Sequence, residues 1–380
     1  MASKYKKRAD GRYCTHVVIG VKSDGKPLRK TIYAHTIREL EEKAAELRRQ
    51  VSTGTVIKDE NVTVAEWAQE WLSTYKSGVS YNTKEMYKVT IHKHIIPVLG
   101  HLKLKEVRPH HVQRLINDKY SEGLTRRVEM IALTMRQVFK RAIENNLLVK
   151  NPAEALEVPK IDKPKKRTLT DDEKRYVELA ELDLKSRAFV YILLYAGLRK
   201  GEALALMKKD INLKDKTITV YKNLITKGNR PEIKMSPKTE AGNRVIPIPS
   251  MLLDALAEYL PTLETLYVFP SANNELMSHI AFRRFWEKIQ RQLNKAMGGN
   301  SSFMVLASDV TPHIFRHTYA TMLFYAGVNM KTAQYLLGHS SINVTMEIYT
   351  HLDKAKAMNA ADKINTLLSS SQSVVNVMDQ

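Results

Sequence analysis

The feature that most limits how this chain can fold is a break near its middle. Pro159 is followed by Lys-Ile-Asp-Lys-Pro-Lys-Lys-Arg, residues 160–167. Proline removes backbone donors and neighbouring cations repel one another, so no packed element is expected here. The chain must then build separate cores on either side. Its 380 residues leave room for two or three domains at roughly 150 residues each. A hydrophobic content of 43% supplies enough apolar material to bury them.

Before the break the chain falls into two parts. Residues 1–56 read as a small unit: a strand from Gly11 to Gly20, a turn at Ser23-Asp24-Gly25-Lys26, a second strand from Leu28 to Ala34, then a helix capped by Thr36 with Glu39 three residues later. Residues 1–30 hold nine Lys or Arg, Arg12, Lys26 and Arg29 among them, against two Asp. A ribbon so charged is either a solvated hairpin or one that enters a DNA major groove. Ser52 to Asn61 reads as a linker. Residues 62–158 carry apolar groups at helical spacing, in helices near Val64–Leu72, Thr83–Ile96, from Pro109, and Val128–Asn145. Arg126, Arg127, Arg136 and Lys140 lie off the apolar face of the last helix or just ahead of it, where they suit a DNA backbone.

After the break, residues 168–380 form a mixed α+β domain. Thr170-Asp171-Asp172-Glu173 opens a helix. Phe189 to Leu198 is apolar nearly all round and should be a buried helix, broken at Gly197. Three short strands are expected, Ile211–Tyr221, Glu232–Met235 and Arg244–Pro249, then helices from Ser250, Ser278, Pro312, Lys331 and Asn343. A final helix over Asn359–Leu368 and a strand near Val374–Val377 complete the reading. The fold class is thus multidomain: a β-hairpin and helix unit, an all-α bundle, and a mixed α+β domain.

Charge bounds the partner. Sixty Lys and Arg against 40 Asp and Glu give +20 and a pI near 9.7. That surplus fits a polyanion, most simply double-stranded DNA. Cys14 is the only cysteine, so the chain forms no internal disulfide, which fits a reducing cytoplasm. No run approaches the ~18 apolar residues of a membrane span, and the N-terminus lacks the apolar core of a signal peptide.

The chemistry concentrates in Thr311–Leu352. Thr311-Pro312-His313-Ile314-Phe315-Arg316-His317-Thr318 puts His313 and Arg316 on one helix face, with Thr311 as an acceptable cap. Leu337-Gly338-His339-Ser340 follows, then Ile348-Tyr349-Thr350-His351. His313 and His317 stand i, i+4, but the glutamate of a zinc helix is absent and Arg316 between them would repel a dication. No metal and no cofactor is expected. His317 and His351 read as structural.

The spacing Arg199, Lys238, His313-x-x-Arg316, His339, Tyr349 resembles the tyrosine recombinase family. So do the words Ala-Gly-Leu-Arg-Lys-Gly-Glu and Thr-Pro-His-x-Phe-Arg-His-Thr, and Leu-Gly-His-Ser ahead of the tyrosine. The likeness covers the whole last domain. The helical domain looks like that family's core-site-binding domain, and the N-terminal hairpin like the arm-binding domain of phage and conjugative-transposon integrases. The resemblance implies a bacterial, nucleoid-associated integrase that clamps DNA, works as a homotetramer on core and arm sites, and passes through a 3′-phosphotyrosine and a Holliday junction to integrate or excise a mobile element. An excisionase-type directionality factor or a host DNA-bending protein would be a further partner.

The residues support the same chemistry without the family. Attack on a phosphodiester adds charge to an anion. Arg199 and Arg316 can each grip its non-bridging oxygens with two N–H groups, and His313 and His339 can add donors. Tyr349 would attack; its ordinary pKa of about 10 demands help, with His313 as the candidate base. Lys238 is the candidate acid for the departing 5′ oxygen, although Lys227 and Lys234 lie in the same region. Glu202 reads as a group that orients Arg199. Two rivals stay open: a type IB-like topoisomerase that only relaxes supercoils, and a DNA-binding regulator that has kept the fold but not the reaction.

Overall fold

The computed structural model describes residues 5–21, 25–52, 61–160, 167–228, 230–235, 242–300, 302–307 and 309–346. The chain divides into two compact units, Met1–Lys163 and Pro164–Gln380. Among the described residues the buried apolar side chains gather into three separate cores, two in the first unit and one in the second.

The first unit opens with antiparallel strands β1 (Tyr13–Val21) and β2 (Pro27–Ala34), with Tyr13 opposite Ala34 and Val18 opposite Arg29. The alternation of β1 buries Val17 and Ile19 and leaves His16 and Val18 outside. Helix α1 (Ile37–Ser52) closes that face with Ala44 and Leu47. Its start is held as expected, by the Glu39 N–H donating to Thr36 Oγ1 at 3.2 Å.

The helical part of this unit comprises α2 (Val64–Thr74), α3 (Tyr81–Thr90), α4 (Ile96–Leu99), α5 (Pro109–Ser121) and α6 (Thr125–Glu144). A single π turn, Ile91–Ile95, joins α3 to α4. Pro97 accounts for it: proline has no N–H to give to the Lys93 carbonyl and its ring would strike that oxygen, so the helix widens just before it. The core centres on Trp71, Ile91, Leu115, Ile131 and Phe139. Trp67 Nε1 donates to the Val138 carbonyl at 2.9 Å, so the one polar atom of a buried indole is satisfied.

The second unit starts with α7 (Asp171–Leu179), which carries a full capping box between Thr170 and Glu173, and the apolar α8 (Leu184–Tyr195). Every residue from Ala188 to Leu198 except Gly197 belongs to the buried core. The Phe189 ring meets those of Phe269, Phe285 and Trp286 edge-on at 5.1, 5.3 and 6.4 Å. Helix α9 (Lys200–Leu204) follows.

The strands are more divided than the sequence suggests. The expected strand Ile211–Tyr221 is cut into β3 (Ile211–Asn212) and β4 (Thr217–Val220) by a turn in which Lys216 takes φ +51°. Strand β7 (Arg244–Pro247) pairs with β4, giving the order β3-β4-β7, while β5 (Asn223–Lys227) and β6 (Arg230–Lys234) form a separate hairpin. Pro231 is tolerated because β6 is an edge strand. The remaining helices are α10 (Ser250–Tyr259), α11 (His279–Ala296), α12 (Pro312–Tyr325) and α13 (Met330–Leu337), and 342–346 are helical too. The turn holding Lys238, the tyrosine Tyr349, His351, and the expected helix and strand of the tail lie outside the described residues.

Candidate active site

Four chain segments meet where the sequence places the chemistry. Helix α8 ends at Tyr195, and the chain then turns sharply at Gly197, whose φ is +62°. A Cβ there would stand 2.1 Å from Tyr319 Cδ1, so only glycine lets α8 close onto α12. The turn delivers Arg199 as the N-cap of α9. Glu202, three residues on, accepts from the Arg199 N–H at 2.9 Å and from its Nη1 at 2.7 Å.

Glu202 also binds Arg244, at the start of β7. Arg244 Nη2 donates to Oε2 at 2.8 Å and Nη1 to Oε1 at 3.3 Å, and the Arg244 side chain is fully buried. Burial alone would raise the Glu202 carboxyl. The hydrogen bonds and charge of Arg244, helped by Arg199, overcome that and bring it down to about 2. Sequence reasoning missed Arg244. The signal was present: in the alternating strand Arg244-Val245-Ile246-Pro247 the arginine shares the inward face with Ile246.

The C-terminus of α13 organises the rest. Arg244 Nε donates to the Leu336 carbonyl at 2.8 Å, Arg316 Nη2 donates to that of Leu337, and Arg199 Nη2 donates to that of Gly338 at 2.8 Å. Three successive carbonyls thus each receive a different guanidinium. They are carbonyls that a helix end leaves without intrahelical partners, at the negative pole of its dipole. Arg316 is tied down further by Nη1 donating to the Gly197 carbonyl at 2.6 Å. Burial and then Arg199 push the Arg316 guanidinium down to about 9, which leaves it charged at neutral pH.

Gly338 ends α13 in the left-handed conformation, with φ +60°, and so turns His339 back toward the arginines. His339 Nδ1 lies 2.9 Å from Thr345 Oγ1. Burial, then Arg316 and Arg199, bring its pKa down to about 3, so the ring is neutral near pH 7. If the Thr345 hydroxyl donates to Nδ1, the ring proton stands on Nε2, ready to donate. His313, in the first turn of α12, is exposed on its outer side and has no hydrogen-bond partner among the described residues. Partial burial and then Arg316, Lys200 and Arg199 hold it below the ordinary imidazole range. Thr311 is the N-cap of α12 but makes no side-chain cap bond, contrary to its expected role.

Among the described residues, Glu202 thus sits with the guanidiniums of Arg199, Arg244 and Arg316, and the imidazoles of His313 and His339 lie close enough to feel their charge, His313 that of Lys200 as well. The surplus is positive, and the unspent donors suit an anion with several oxygens. Arg199, Glu202, His313, Arg316 and His339 come together. Lys238 and Tyr349 fall outside the described residues. Among the described residues no cluster of His, Cys, Asp or Glu could hold a metal ion, and no helix is long and apolar enough to cross a membrane.

In the first unit, Lys26, Arg29, Arg126, Arg127 and Lys140 are exposed. Arg12 bonds Asp10 at 3.0 Å and lies 5.0 Å over the Tyr33 ring. Arg136 differs from the others. Its Nε and Nη2 donate to the carbonyls of Ala153 and Leu156 at 3.2 and 2.9 Å, so it staples the chain that follows α6, and a phosphate would have to compete with those oxygens.

Comparison with known proteins places these observations. Residues 166–356 match the phage integrase family, and residues 63–120 match the N-terminal SAM-like domain of phage integrases. A XerC-like tyrosine recombinase of Caldanaerobacter subterraneus subsp. tengcongensis is 28% identical, over 97% of this chain and 100% of its own. The ICEBs1 integrase of Bacillus subtilis is 27% identical, over 96% of this chain and 99% of its own. Among solved structures, the Tn1549 transposon integrase in complex with a circular intermediate DNA shares the fold with a TM-score of 0.68 at 24% identity, covering 78% of this chain and 98% of that one. A lambda integrase tetramer bound to a Holliday junction does so with a TM-score of 0.59 at 21% identity, covering 90% and 96%.

Proposed function

The chain belongs to the phage integrase family of tyrosine recombinases, and on that premise we propose how its residues divide the work of cutting and rejoining DNA. Arg199 and Arg316 hold the non-bridging oxygens of the scissile phosphate, and His339 donates to the same group. The Tyr349 phenol attacks phosphorus and its proton passes to His313. The P–O bond to the 5′ oxygen breaks, and that oxygen takes a proton from Lys238. The product is a 3′-phosphotyrosine and a free 5′ hydroxyl. Attack by a 5′ hydroxyl of the partner strand reverses the steps. One phosphate ester replaces another, so the chemistry needs neither ATP nor a metal.

Glu202 and Arg244 do not touch the phosphate in this scheme. They hold Arg199 and the end of α13 in place. The observation that carries the reading is the row of three carbonyls, Leu336 to Gly338, which aims Arg199 and Arg316 at one region beside His339. Residues 1–56 serve as the arm-binding domain, with Arg12, Lys26 and Arg29 on DNA. Residues 62–158 bind the core site through Arg126, Arg127 and Lys140. Residues 168–380 catalyse. Four copies act on paired sites through a Holliday junction, in the bacterial cytoplasm on the nucleoid, with an excisionase-type factor or a DNA-bending protein setting direction.

A nicked suicide duplex tests the chemistry. Wild-type protein should form a covalent adduct that Tyr349→Phe does not; no adduct from either would favour a DNA-binding regulator. Plasmid relaxation run beside a two-site recombination assay separates an integrase from an enzyme that only relaxes supercoils.

A further inference from the structure

Helix α12 carries both His313 and Arg316, yet its N-cap Thr311 makes no side-chain cap bond. The ties come from outside. Arg167, the last residue of the charged linker, donates from Nε to Asp309 Oδ2 and from Nη2 to Asp309 Oδ1, both at 2.7 Å. It also grips Glu173 of α7, Nη1 to Oε2 at 2.6 Å and Nη2 to Oε1 at 3.0 Å. Glu173 is in turn part of the capping box of α7. Two residues past Arg167, the Leu169 N–H donates to Thr318 Oγ1 at 2.9 Å, and that hydroxyl donates to the Ile314 carbonyl in the first turns of α12. Gln290 Nε2 adds a bond to the Val310 carbonyl at 3.1 Å.

We propose that Arg167 is a positioning residue for the reaction: paired with Asp309, it sets the angle at which α12 starts and so where His313 stands relative to the phosphate. The proposal rests on the assignment of His313 as the base. Two features favour it over a merely structural pair. Arg167 and Asp309 are 30% and 56% exposed, and ion pairs this open contribute little to global stability. Yet the pair is two-pronged on both carboxylates, a geometry that fixes orientation. Asp309 lies four residues before His313, so a shift there reaches the base with little chain to absorb it. A small misplacement of a reacting group can cost up to roughly a hundredfold in rate.

The test uses full-length protein and the suicide duplex, with single-turnover cleavage measured at saturating protein, DNA affinity by anisotropy, and melting temperature. Asp309→Asn and Arg167→Gln should each slow cleavage by roughly ten- to a hundredfold; affinity should stay close to wild type in both and melting temperature in Asp309→Asn, whereas Arg167→Gln also strips the buried Glu173 of its cation and should melt earlier. Asp309→Glu, which keeps the carboxylate, should recover most of the rate. The double variant should be no slower than the slower single one, because both break one connection. Unchanged cleavage in the folded variants overturns the proposal. So does a loss confined to DNA affinity, which would make Arg167 a phosphate contact instead. Absence of adduct from wild type overturns the assignment of the reaction itself, and with it this inference.

Discussion

Glu202 and Arg244 form a two-point ion pair away from solvent, with oxygen-to-nitrogen distances of 2.8 and 3.3 Å, and the same carboxylate also holds Arg199. One acid thus serves two cations of opposite exposure: Arg244 is sealed in and Arg199 reaches out. Breaking such a pair leaves an uncompensated buried charge, which typically costs about 3–5 kcal/mol. Glu202→Gln should lose stability on that scale in urea titration and lower cleavage as Arg199 loosens. Retention of both would show that the pair organises nothing. The pH dependence follows from the depressed carboxyl. Its folded pKa of about 2 lies below the ordinary value of 4.5, so its contribution is whole above pH 4.5 and is lost as pH falls from there toward 2.

His339 acts in the same direction, although here it is the neutral form that the fold favours. Its folded pKa of about 3 lies far below 6.5, so below pH 6.5 the unfolded chain binds a proton that the folded chain refuses. Stability should therefore decline as pH falls from 6.5 toward 3, by up to about 1.4 kcal/mol per pH unit for this one group. NMR of the imidazole should find it still neutral at pH 5, and a protonated ring at that pH would contradict the arrangement.

Thr345→Val removes the hydroxyl beside His339 Nδ1 and with it the control of which nitrogen carries the proton. Cleavage should fall by roughly tenfold, since groups that orient a functional histidine are worth on the order of ten- to a hundredfold. Single-turnover rates on the suicide duplex would measure it, and an unchanged rate would mean that His339 needs no partner.

His313→Gln should slow cleavage by about 10²–10⁴, the usual range for a positioned general base. In the wild type, the pKa of His313 lies below that of free imidazole, so the base stays available at mildly acidic pH. The acidic limb of the cleavage profile should then fall below pH 6.5 rather than at it. A limb that survives His313→Gln unmoved would assign the proton transfer elsewhere.

The basic residues of the helical part separate in a binding experiment. Arg126→Ala and Arg127→Ala should each weaken DNA binding and reduce the salt slope by about 1, as loss of one phosphate contact does. Arg136→Ala should instead lower the melting temperature and leave the slope nearly unchanged, because two of its donors hold the carbonyls of Ala153 and Leu156.

Much of this was legible in the residues because the signals are local. The hairpin followed from a turn between alternating strands, α1 from Thr36 and Glu39, and the buried α8 from an unbroken apolar run. His313 and Arg316 declared themselves by helical spacing. What stayed hidden depends on distant contacts. The alternation of β7 turns Arg244 inward, but the carboxylate that makes a buried cation tolerable there, Glu202, lies 42 residues earlier. The π turn before Pro97 and the division of the strand at Lys216 rest on backbone geometry that single-residue preferences do not carry. Arg136 shows the same limit from the other side, since its position off the apolar face suggested a ligand when its partners are carbonyls within the fold.

The row of bonds from Leu336 to Gly338 has a corollary. A single strip of backbone acts as a jig for three side chains that come from three different parts of the chain. Unwinding or sliding that strip by one peptide would misdirect all of them at once. Disorder at this one helical end would therefore cost the placement of all three guanidiniums together.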